Sequence, residues 1–124
     1  MIDSIRIYHV KPSRMTEFVA AFRKGGMWHE LARSLPGFVA TDLLESRELP
    51  QAFLSIDFWE TEDACMRAQD SHQARVLAQL LSDVTISTVN LGIFAFPREA
   101  IEVDANEGDF VSSVLRRVER WVRL

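Results

Sequence analysis

The stretch Ala52-Phe53-Leu54-Ser55-Ile56-Asp57-Phe58-Trp59-Glu60-Thr61-Glu62-Asp63-Ala64 changes its structural period at Glu60. Before that point the residues alternate. Leu54, Ile56 and Phe58 share one face, and Phe53, Ser55, Asp57 and Trp59 share the other, which predicts a strand. After it, Thr61 is a good helix N-cap. Glu62 and Asp63 follow in the first turn, where the helix dipole favours negative charge. Upstream, Phe38 to Glu45 also reads as a strand. The connection Ser46 to Gln51 contains Pro50, and so short a link between two strands predicts an antiparallel hairpin. The central unit is therefore a hairpin that feeds a capped helix.

Working outward from this unit, Ile2 to Val10 alternates and is ended by Lys11-Pro12. Ile5, Ile7 and His9 fall on one face of that strand, and Arg6, Tyr8 and Val10 on the other. Ser13 or Thr16 is expected to cap the next helix, whose stripe is Met15, Phe18, Val19 and Phe22. Gly25-Gly26 then breaks it. Trp28, Leu31, Ala32 and Leu35 form a second stripe out of phase with the first. Pro36-Gly37 closes the helical region. Downstream of Asp70, Ser71 caps a further helix with Leu77, Leu80, Leu81 and Val84 on its buried side. Thr85 to Phe96 reads as a long strand, with Val89, Leu91 and Ile93 expected on one face.

The order is β-α-β-β-α-β, an α+β, ferredoxin-like arrangement with a four-stranded antiparallel sheet. Helices cover one sheet face. The uncovered face carries either Phe53 and Trp59 or the opposite, more apolar set. A second apolar face needs a partner, and a twofold homodimer covers both copies at once. Residues 1–96 complete this unit. In residues 97–124, Asp109 can cap a last helix with the apolar stripe Val111, Val114, Leu115, Val118 and Val122. That amphipathic helix is expected to pack on its own protomer or on its partner.

Composition agrees with one soluble domain: 124 residues, 48% hydrophobic and 26% charged. The net charge of −4 argues against nucleic-acid binding. No apolar run approaches the roughly 18 residues of a membrane span. The single cysteine, Cys65, excludes an internal disulfide framework. His9, His29 and His72 lack ligand spacing, so no metal site is expected. The first residues do not form a secretory signal, and the expected location is the cytoplasm.

Three passages resemble the antibiotic-biosynthesis-monooxygenase-like family. They are Leu35-Pro36-Gly37-Phe38-Val39 with Leu43-Leu44, then Ile56 to Ala64, then Leu91-Gly92-Ile93-Phe94. The resemblance covers roughly residues 2 to 96. It implies a dimeric α/β barrel and, for some members, oxygenation of polycyclic phenols by O₂ with no cofactor. Haem-degrading members use an Asn in the first strand, a helical Trp and a His beyond it. Here the first strand has no Asn, and the other two positions fall near Ala68 and Ala78, so haem degradation is disfavoured.

The chemistry of such an oxygenation is proton removal, because an ionised phenol passes an electron to O₂ far more readily than a neutral one. Candidate catalytic residues are His9, His29 and Asp57. His9 acts only if its strand face lines the pocket, and is otherwise a strand-end histidine bonded to backbone. His29 lies off the Trp28 stripe. Asp57 either has a raised pKa or pairs with an arginine such as Arg6 at an interface. Tyr8, Trp28, Trp59 and Phe22 are candidate substrate contacts, with core packing as the alternative for each aromatic. Two functions follow. One is a cofactor-independent monooxygenase acting on an aromatic or polycyclic phenol. The other is a non-catalytic dimeric binding or stress-associated module of the same fold.

Overall fold

A computed structural model describes residues 1–97. The elements run β1 (Ile2–Val10), α1 (Met15–Phe22), α2 (Met27–Ala32), β2 (Phe38–Glu45), β3 (Ala52–Trp59), α3 (Glu62–Gln69), α4 (His72–Ser82) and β4 (Thr85–Ala95). They form a four-stranded sheet in the order β2-β3-β1-β4, with every neighbouring pair antiparallel. This is the expected β-α-β-β-α-β arrangement. The expected C-terminal helix lies outside the described residues.

Local chemistry sets most boundaries. Thr61 and Ser71 cap α3 and α4, each accepting a hydrogen bond from the backbone N–H three residues on. Neither Ser13 nor Thr16 caps α1. A short 3₁₀ turn at Pro12–Arg14 leads into that helix, and Arg14 holds the cap position without a side-chain bond. Proline suits a first turn because its missing N–H would have no partner there. The helical region breaks at Gly25-Gly26 as expected. Gly25 has φ +81°, and a Cβ on Gly26 would strike the carbonyl oxygens of Ala20 and Ala21.

Register assigns the faces. Tyr8, Val10, Phe53, Ser55, Asp57 and Trp59 point to the helices and are buried. There they join Phe18, Trp28, Ala32, Cys65, Leu77 and Leu81 in one core. The set Ile5, Ile7, Leu54 and Ile56 lies on the other face, open in that none of the described helices covers it, opposite one another across β1 and β3. Asp57 and Trp59 thus sit under the chain's own helices, and not on the uncovered face.

The face expected for β4 needs a correction. Ile5 pairs with Gly92 and Arg6 with Asn90, so Leu91 is an extra residue in a bulge. Each residue inserted into a strand reverses the sides of those beyond it. Val89 therefore lies beside Ile7 on the open face, whereas Ile93 lies beside Ser4 and packs on the core. Gly92, at φ +106°, supplies the backbone conformation for the bulge.

The open face also holds Asp42, opposite Ile56. It is 1% exposed, and among the described residues neither carboxylate oxygen has a hydrogen-bond partner. Burial, reinforced by the nearby charge of Asp3, pushes its pKa up to about 7.

Candidate active site

A cavity of about 230 Å³ opens between the covered sheet face and helices α3 and α4. Ser4 and Arg6 of β1 and Asp57 and Trp59 of β3 form its floor. Trp28 closes one side from α2, while Cys65, Gln69, Arg75 and Leu77 come from α3 and α4.

Asp57 is the centre of the polar part. Strand alternation points it inward beside Trp59, and the hairpin register places Thr41 directly opposite. Its Oδ1 accepts two hydrogen bonds, from Thr41 Oγ1 at 2.5 Å and from Trp28 Nε1 at 2.9 Å. The indole N–H also reaches Thr41 Oγ1 at 3.0 Å. Oδ2 faces Arg6, whose Nη1 is 3.6 Å away. This is the expected arginine partner, found inside the protomer. The Asp57 side chain is 3% exposed. Burial pushes its carboxyl above the ordinary range, against the hydrogen bonds from Thr41 and Trp28 and the charge of Arg6. The result is a held carboxylate with one oxygen fixed and the other facing a cation and a cavity. Such a group accepts a proton more readily than an exposed aspartate.

The tryptophans wall the site. Trp59 Nε1 donates to Ser4 Oγ at 3.4 Å. Phe38 stands edge-on between them, with ring centroids 6.2 Å from Trp28 and 5.4 Å from Trp59. Burial raises the Cys65 thiol pKa, so that sulfur stays a neutral part of the wall.

The remaining sequence candidates stand elsewhere. Tyr8 and Phe22 pack with Phe18 in an aromatic cluster further along the sheet, outside the cavity lining. Burial raises the Tyr8 phenol pKa, with Arg6 drawing it back. His9 is exposed on the open face. His29 is exposed on α2, and its Nδ1 accepts the Gly25 N–H at 3.1 Å. The structure brings Trp28, Asp57 and Trp59 together, and it brings neither histidine to them. Thr41 and Arg75 were not among the expected site residues. The hairpin register carried the signal for Thr41, whereas nothing local marked Arg75.

Among the described residues no group of three His, Cys, Asp or Glu could hold a metal ion. No described helix is long and apolar enough to cross a membrane.

Residues 1–79 match the family described as antibiotic biosynthesis monooxygenase. No curated protein matches the sequence. Several solved structures share the fold. One is SnoaB, a cofactor-independent oxygenase from Streptomyces nogalater, at 20% identity and TM-score 0.61, covering 77% of this chain and 92% of that one. Another is a candidate antibiotic biosynthesis monooxygenase from Bordetella bronchiseptica, at 21% identity and TM-score 0.67, covering 77% and 96%. A conserved protein from Methanosarcina mazei has 18% identity and TM-score 0.64, covering 77% and 92%.

Proposed function

The chain belongs to the antibiotic biosynthesis monooxygenase family, and from that premise we propose that it is a cytoplasmic, homodimeric, cofactor-independent monooxygenase acting on a small phenol-like arene. The observation that carries this reading is Asp57. It is a buried carboxylate with a raised pKa, fixed at Oδ1 and set in an apolar cavity walled by two tryptophans.

In this reading Asp57 Oδ2 takes the phenolic proton. Trp28 and Trp59 hold the ring plane, and the low-dielectric walls favour electron transfer from the resulting anion to O₂. The phenoxyl radical and superoxide then combine into a C–O bond at a ring carbon that bears hydrogen, Asp57 returns its proton to the peroxide, and cleavage of the O–O and C–H bonds releases water and leaves a carbonyl. One oxygen atom enters the product and the other leaves as water. All the electrons come from the arene, so the balance needs no external reductant. Dimerisation covers the apolar open face around Ile5, Ile7, Leu54, Ile56 and Val89.

The test is O₂ uptake by the purified protein with a one- or two-ring phenol such as 1-naphthol and no added cofactor. The wild-type rate should exceed the uncatalysed one. Asp57→Asn should lower it by roughly 10²- to 10⁴-fold, the usual contribution of a general base. The second reading is a binding module with the same pocket, favoured by the Arg6–Asp57 contact, which gives the carboxylate a structural role. It predicts saturable binding of the same phenols with no uptake above background.

A further inference from the structure

The geometry points to a ligand that carries an ionised acid group on its aromatic ring, held by Arg6 of the sheet floor and Arg75 of α4, which both line the cavity. This deepens the substrate class proposed above and rests on that reading. Two arginines, Arg6 and Arg75, line the cavity against a single carboxyl, that of Asp57. Arg6 faces Asp57, so the cavity holds one guanidinium more than it holds carboxyls, and a carboxylate on the ring would pair with it.

Each arginine has donors to offer. Arg6 Nη1 lies 3.6 Å from Asp57 Oδ2, beyond ordinary hydrogen-bond length, and its side chain is only 23% exposed. Asp57 in turn is already bonded to Thr41 and Trp28 through Oδ1. Arg75 is held at the start of α4 by Nη1, which donates to the Asp70 carbonyl oxygen at 3.1 Å. Among the described residues it has no carboxylate partner. Guanidinium groups fit carboxylates through paired N–H donors, which fixes orientation as well as charge. Ser4 adds a hydroxyl on the same floor. Its oxygen accepts from Trp59 Nε1, and its hydroxyl lies beside the Cys65 thiol. The cavity, about 230 Å³, is smaller than the roughly 300–1,000 Å³ of drug-sized sites. That size suits one or two fused rings.

Quenching of tryptophan fluorescence in the full chain tests the inference with three probes at pH 8: 1-hydroxy-2-naphthoate, its methyl ester, and 1-naphthol. The acid should bind at least tenfold more tightly than either neutral probe, and added salt should narrow the gap. Arg75→Gln changes an exposed side chain and keeps the fold, and it should cut the preference to threefold or less. Arg6→Gln should do the same. Equal affinity for the acid and its ester would overturn the acid-binding inference and leave the aromatic pocket standing. So would a preference that survives Arg75→Gln. If none of the three probes binds, the pocket reading fails and this inference falls with it.

Discussion

Trp28 has two jobs at the residue scale, and one substitution separates them. Its ring fills the core at 3% exposure, and its N–H satisfies Asp57 and Thr41. Trp28→Phe keeps most of the apolar contact and removes the donor. Leaving a buried acceptor short of a partner costs about 1–3 kcal/mol, so the variant should lose that much stability in urea or thermal unfolding. Without the donor, the Asp57 carboxyl should rise further. The base must be ionised to act, so the acid limb of the rate profile should move to higher pH in this variant. The residue scale is also where sequence reading reached least far. An aspartate and a tryptophan two apart on a strand are legible as neighbours on one face, and they are neighbours. A histidine carries no such information. His9 has the chemistry of a base, but strand parity puts it on the open face, and which face the helices cover is settled only by tertiary packing. Thr41 reaches Asp57 through the hairpin register, and Arg75 reaches the cavity through the docking of α4, both from distant segments.

At the scale of elements, the boundaries follow from punctuation that the chain states openly. Thr61 and Ser71 start α3 and α4, and Gly25-Gly26 divides α1 from α2. Gly37 is a further such mark, where chain and helix approach closely. It has φ +81°, and a Cβ there would lie 2.5 Å from the Ala64 Cβ on α3. Gly37→Ala should therefore destabilise the fold by more than the ~1 kcal/mol that a compatible Gly→Ala change gains, read as a fall in midpoint denaturant. Because Phe38, next in the chain, packs edge-on against Trp59, the displaced turn should also alter tryptophan emission. The strand faces were legible wherever alternation was unbroken. They were not in β4, because the extra residue at Leu91 leaves the apolar pattern Val89, Leu91, Ile93 intact while reversing its sides. Periodicity counts residues in one strand, whereas a bulge is a property of two.

For the whole molecule, the two sheet faces obey different electrostatics. The covered face matches its buried carboxylate with donors. Among the described residues the open face offers Asp42 none. In the folded protein Asp42 keeps its proton up to about pH 7, whereas the unfolded chain releases it near 3.8. Between those values the unfolded state binds fewer protons, so stability should fall as pH rises from about 4 to 7 and then level off. Asp3 and Asp57, both raised by burial, act in the same direction. Asp42→Asn should flatten this slope, as measured by urea midpoints across that range. A slope unchanged in Asp42→Asn would assign it to the other two carboxylates.

The bulge in β4 reaches beyond side-chain placement. β4 is an edge of the sheet, and Ile86, Val89, Leu91 and Phe94 on it are exposed. A long, regular, apolar edge is a template on which further strands can add without limit. The unpaired residue at Leu91 and the positive φ of Gly92 interrupt the ladder and twist the border. The same irregularity that sends Ile93 into the core thus also makes this edge a poorer template for an added strand.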